Sequence, residues 1–302
     1  MRALGPLLLA CLLAGCGTAT TTAGVATTAP SRSTTTSTPA SRTVAIVTEH
    51  LDLVDGSRPV TSGGATIAGV RSLPTTVVRP DDGVRHPLVL LLPGFGVGPP
   101  TYARMLAWLA RHGVVAAAPS FPLADPAQGH VLDRADIPTE ATDVAFVLRS
   151  LRHGATGAHL APGRTVVLGH SDGADVALLV GYDAALRVPS VSAVVAVAPD
   201  PIDRPVISGG PPLLLLHGSA DQVVPPASSA AVMATVSAAR WSVTLDGADH
   251  ASAIIGPSPW TAALDHAVGH FLAATVGGRG ASTLSGALAR LPGAEVVSAP
   301  GP

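Results

Sequence analysis

The sequence predicts an α/β protein, with a mostly parallel central sheet and helices on both faces. Three observations lead there. Short, almost wholly apolar runs recur at 87–92, 114–118, 166–168, 191–198 and 213–216, the pattern of strands buried on both sides. Helical periodicity fills the gaps: Tyr102, Met105, Leu106 and Leu109 repeat at i, i+3, i+4, i+7, as do Val144, Val147, Leu148 and Leu151. A later helix carries Trp260, Leu264, Val268, Phe271 and Leu272 on one side. Residues 44–76 lack a helical signal and are expected to supply antiparallel strands at one edge of the sheet.

Of the 302 residues, 47% are apolar but only 3% aromatic, so the core must be built from Ala, Val and Leu. The formal net charge of −2 gives no basic face, and nucleic acid is not an expected partner. Lysine is absent, which excludes Schiff-base and Ser–Lys chemistry.

The N-terminus reads as an export signal at 1–15. Arg2 is followed by an apolar run at 7–13 that is shorter than the ~20 residues needed to span a bilayer. Leu13-Ala14-Gly15-Cys16 is similar to a bacterial lipobox, which makes Cys16 the lipidated first residue of the mature chain. The expected location is extracytoplasmic, lipid-anchored to the cell membrane, or secreted if the signal is an ordinary one. Residues 16–43, rich in Thr, Ser, Ala and Pro, form a tether that cannot bury enough surface to fold. The globular domain is expected at 44–275. The Gly- and Ala-rich stretch at 276–302 is expected to be a flexible tail, with at most a helical turn near 284–291.

The chemistry concentrates at Gly169-His170-Ser171-Asp172-Gly173, which lies between a strand and an apolar helix. A serine on a tight strand-to-helix turn projects its hydroxyl at the C-terminal edge of the sheet, beside a helix N-terminus that favours negative charge. Such a nucleophile takes its acid and base from later in the chain, in the order Ser, Asp, His. Asp221 closes the turn after the run at 213–216 and is the expected acid, with Asp200 and Asp203 as competitors. Of the histidines after Asp221, His250 sits in a loop after a short strand-like run, as a general base should. His266 and His270 fall on the solvent side of their helix and lack the H-E-x-x-H carboxylate, so no metal site is expected. Asp249 reads as a turn former, His170 as packing or as support behind the reacting residues, and His217 as structural. The N–H groups of Phe95 and Asp172 are the expected oxyanion donors. The Phe95 ring is a candidate substrate contact.

Several elements together resemble the α/β-hydrolase superfamily across 44–275. They are Leu91-Leu92-Pro93-Gly94-Phe95, the G-H-S-D-G turn, His217-Gly218-Ser219-Ala220-Asp221-Gln222-Val223-Val224-Pro225 and Gly247-Ala248-Asp249-His250. With Asp55-Gly56-Ser57-Arg58-Pro59 and Arg71-Ser72-Leu73-Pro74, they are similar to the dienelactone-hydrolase and cutinase-like branch of bacterial secreted lipoprotein hydrolases. Asp172 departs from the cutinase-like pattern, which usually has Met or Gln there. A carboxylate beside the oxyanion pocket opposes developing negative charge unless it turns outward. The resemblance implies a serine esterase with a Ser171–His250–Asp221 triad, no cofactor, and a small-molecule or polymeric ester as substrate. Amide or peptide hydrolysis on the same fold is the first alternative, and a non-catalytic surface-binding lipoprotein the second. The superfamily's usual cap position, 199–212, is short and contains five prolines, so no large cap domain is expected.

Overall fold

The apolar run at 87–92 forms the central strand β5 (His86–Leu92), and its alternation serves two cores at once. Val89 and Leu91 join one apolar cluster, whereas Leu88, Leu90 and Leu92 join the other. A strand facing apolar layers on both sides has no polar positions, which is why it reads as continuous. The computed structural model describes residues 44–302. The signal at 1–15 and the tether at 16–43, with Cys16, lie outside the described residues.

Around β5 the chain supplies β1 (Ile46–Asp55), β4 (Arg71–Pro80), β6 (Val115–Pro119), β7 (Leu160–His170), β8 (Ala193–Val197), β9 (Leu213–Gly218), β10 (Arg240–Leu245) and β11 (Ala294–Ala299). Their order across the sheet is β1-β4-β6-β5-β7-β8-β9-β10-β11. The strands from β6 to β10 in that order run parallel, while β1, β4 and β11 are antiparallel to their neighbours. Two short strands, β2 (Val60–Ser62) and β3 (Ala65–Ala68), form a separate hairpin.

Helices α1 (Ala103–Arg111) and α5 (Thr261–Thr275) cover one face, and α2 (Ile137–Ser150), α3 (Asp172–Tyr182) and α4 (Ala227–Thr235) the other. The periodic residues of α1 and α2 are buried as their spacing implies. Between β8 and β9, and between β6 and α2, there is no α-helix that could serve as a cap.

The C-terminal stretch differs from its expected flexible character. Leu284 and Leu288, on helix α6 (Leu284–Leu288), and the following Leu291 are buried in the core beside α5. Strand β11 then pairs with β10 through six residues and extends the sheet by one strand. The abundance of Gly and Ala hides three leucines spaced on one helical face and the apolar Val296, which packs against the same core.

Buried charge is concentrated beneath α2. Arg71, fully buried, bonds both Asp143 carboxylate oxygens and, through two further N–H groups, both oxygens of Asp136. Arg58 joins Asp143 Oδ1 at 2.7 Å and Asp55 Oδ2 at 2.7 Å. The two arginines that the sequence presents in separate motifs therefore meet on one acid.

Candidate active site

Ser171 occupies the turn from β7 into α3 with φ 55° and ψ −129°, a backbone region that L-residues populate only under constraint. Hydrogen bonds hold it there. Its N–H donates to Val197 O (2.9 Å), and its carbonyl accepts from Ala174 N (2.7 Å) and Asp175 N (3.2 Å). The flanking glycines are required by contact: a Cβ on Gly173 would run into the Leu92 and Pro93 carbonyl oxygens, and one on Gly169 into the Gly173 carbonyl. The turn can therefore press against the end of β5 only without side chains at these positions.

Asp221 and His250 are brought together by the ends of β9 and β10. Gly218 lies so close to Ala248 that a Cβ would overlap its carbonyl, and Ala220 N donates to Ala248 O (2.9 Å). Asp221 is buried. Its Oδ1 accepts from Val223 N (2.8 Å) and Val224 N (2.9 Å), and its Oδ2 accepts from His250 Nδ1 (2.8 Å). Burial alone would raise its pKa, but the His250 bond and the two backbone N–H groups outweigh it and hold the carboxyl below its usual range. With Nδ1–H donated to a carboxylate, His250 Nε2 is left as the basic atom.

Two other histidines frame this pair. His170 is buried, with its ring 4.9 Å from that of His250. Its Nε2 lies 2.9 Å from the His250 carbonyl, which can only accept, so Nε2 carries the proton and Nδ1 accepts from the Tyr102 hydroxyl (2.9 Å). Burial pushes His170 down to about 4, so it is neutral at pH 7. It thus ties the His250 loop to α1 through Tyr102, whose hydroxyl accepts the Gly94 N–H (3.0 Å). His217 donates from Nε2 to Val224 O (3.0 Å), and the same nitrogen is 3.2 Å from Asp221 Oδ2. The sequence reads His170 as packing or as support behind the site, and His217 as structural, without naming their partners. Their partners lie far away in the chain or across a loop, and no local motif signals them.

The loop after β5 presses on the serine: a Cβ on Gly94 would come within 3.1 Å of Ser171 Cβ. Gly94 N is taken by Tyr102 and Gly96 N by Ala124 O (2.8 Å). Among the described residues, Phe95 N and Asp172 N have no protein acceptor, and Asp172 is the first residue of α3. The Phe95 ring is 37% exposed, placed to meet solvent or substrate rather than core.

The Asp172 carboxylate is buried but answered by charge. Arg134, from the turn before α2, grips it with Nε on Oδ2 and Nη2 on Oδ1, both at 2.7 Å. The same guanidinium reaches Asp200 Oδ2 (3.3 Å) and Asp175 Oδ2 (3.8 Å). Asp200 is therefore engaged with Arg134, and Asp203 is exposed beyond it, whereas Asp221 is the acid bonded to His250. His266 and His270 project from the exposed face of α5. Asp249 accepts from Ala251 N and Ser252 N and forms the turn before α5.

The model of the chlorophyllase family matches residues 48–219, more than half of the chain. The match contains Ser171, Phe95 and the whole of β4 to β9, and it ends two residues before Asp221. No curated protein matches the chain.

Proposed function

Because the chain belongs to the chlorophyllase family, ester hydrolases of the α/β-hydrolase type, we propose that it cleaves carboxylic esters through Ser171, His250 and Asp221. The observation that carries this reading is the His250 Nδ1–Asp221 hydrogen bond together with a serine held at a positive-φ strand-to-helix turn, whose preceding residue, His170, has its ring 4.9 Å from that of His250. In the reaction, Ser171 Oγ attacks the ester carbonyl while His250 Nε2 takes its proton. Asp221 fixes the tautomer and stabilises the imidazolium that results. The tetrahedral oxyanion accepts from Phe95 N–H and Asp172 N–H, neither of which has a protein acceptor among the described residues. His250 returns the proton to the departing alkoxide, and water, activated by the same Nε2, releases the acyl group. Among the described residues Ser171 Oγ has no hydrogen bond to His250, and the proposed reaction requires the two to come within hydrogen-bond reach.

Among the described residues no helix caps the site, and Phe95 is exposed at its rim, which favours varied esters held over a small area. The test is a panel of p-nitrophenyl esters of increasing acyl length, the matching anilides, and chlorophyll, which the family name denotes. Ester turnover that Ser171→Ala lowers about 10⁴-fold supports the reading. Turnover retained by a folded Ser171→Ala protein refutes it. The lipid anchor at Cys16 is a separate proposal resting on Leu13-Ala14-Gly15-Cys16. Palmitate labelling that survives Cys16→Ser would overturn it.

A further inference from the structure

We propose that Arg134 is a positioning residue for the reaction, holding and neutralising the Asp172 carboxylate so that an oxyanion can form on the N–H of that same residue. The inference rests on the reading of Phe95 and Asp172 N–H as the oxyanion donors.

The difficulty that Arg134 resolves is electrostatic. A donor N–H on the same residue that bears a carboxylate places a fixed negative charge within a few ångströms of a developing one. In a site only partly screened by water, that repulsion opposes the transition state more than the neutral ground state. Asp172 is buried, so solvent does little to screen it. Asp200 adds a second carboxylate within reach of the same guanidinium. Arg134 is the one cation bonded to this group among the described residues, and it meets Asp172 with a planar bidentate fork at 2.7 Å on both arms.

The Arg134 side chain is about half exposed, but the backbone that carries it is held. Arg134 sits on a short 3-10 turn, Arg134–Asp136, fixed on both flanks. On one side Asp133 N donates to Leu123 O (2.9 Å), while its carboxylate accepts from Ser62 Oγ (2.6 Å) and Ala135 N (3.0 Å). On the other, Asp136 is clamped by the fully buried Arg71. The buried Arg71 network therefore sets where the turn sits, and the turn sets where Arg134 points. This connects the Arg71-Ser72-Leu73-Pro74 motif, which touches no reacting atom, to the oxyanion side of the site.

The test is a cycle of Arg134→Gln, Asp172→Asn and the double variant, assayed for kcat and KM on a soluble p-nitrophenyl ester. Loss of the cation should lower kcat roughly ten- to a hundredfold, with KM changed less than about threefold, because the repulsion is felt only when charge develops. Arg134→Lys, a point charge without the fork, should recover part of the loss. Adding Asp172→Asn to Arg134→Gln should restore most of the lost kcat, which a merely structural role for Arg134 would not allow. If wild type is active while Arg134→Gln keeps its kcat, or the double variant is no better than Arg134→Gln, the positioning role is overturned and the esterase reading stands. If wild type hydrolyses no ester on the panel, both fall.

Discussion

Replacing Arg71 by Met tests how the fold supports the site. The substitution keeps an apolar stem of similar reach and deletes a guanidinium that makes bonds to Asp136 and Asp143 in a fully buried position. Breaking a buried ion pair from one side costs about 3–5 kcal/mol, because the partner is left buried and uncompensated. Two features place this case near the lower end. Arg58 still donates to Asp143 at 2.7 Å. Burial already raises the Asp143 carboxyl above its ordinary value in spite of Arg71 and Arg58, so it escapes by taking up a proton. About 3 kcal/mol in a domain of this size corresponds to a fall in Tm of roughly 6–12 °C. The sign with pH follows. Without Arg71 the Asp143 carboxyl titrates still higher, so the penalty is full at pH 8 and shrinks towards pH 5 as it protonates in the native state. Scanning calorimetry of both proteins at pH 8 and pH 5 measures this. A Tm within about 2 °C of wild type at pH 8, or a difference that does not narrow at pH 5, would refute the reasoning.

Other expectations follow from single contacts. Asp221→Asn leaves the geometry but favours the wrong His250 tautomer, so kcat should fall about 10⁴-fold, while Asp200→Asn and Asp203→Asn cost at most about tenfold. A steady-state comparison of the three decides which acid serves His250. Burial, aided by the charges of Asp200 and Asp172 and opposed by the Asp200 N–H, pushes the Asp175 carboxyl up to about 7. The native state then holds a proton that the unfolded chain, at about 3.9, has released, so this group lowers stability as pH rises from about 4 to 7. Asp175→Asn should therefore be more stable than wild type at pH 8, by roughly 2–4 kcal/mol, with the gain gone at pH 4. Urea titrations at the two pH values would expose an error if the gain were equal.

The parts of the fold and site that were legible in the sequence are those written in local spacing. Unbroken apolar runs mark β5 and β9 because both faces of each are buried; Ser171 and Asp221 stand just beyond strands of this kind, and His250 follows the alternating β10. What escaped is what depends on distant partners. Arg71 and Asp143 are 72 positions apart, and nothing near either one announces the other. Arg134 lies in a polar, Pro-containing connection that looks like an ordinary loop. Its role appears only when that loop folds back onto the first residue of α3. His217 and His170 act through a 3.2 Å approach to Asp221 and a bond to the His250 carbonyl, neither of which has a sequence pattern. The C-terminal strand was hidden by composition, since Gly and Ala around Leu284, Leu288 and Leu291 dilute the apolar signal that buries them.

The central claim is that Ser171 is a nucleophile activated by His250 and Asp221. Reaction of the purified protein with a fluorophosphonate, followed by intact mass and peptide mapping, tests it most directly. The account predicts one stoichiometric adduct on the peptide containing Ser171, absent in Ser171→Ala and formed at least about 10³-fold more slowly in His250→Ala. No adduct on the folded wild-type protein, or an adduct that persists at the same rate in Ser171→Ala, would contradict it.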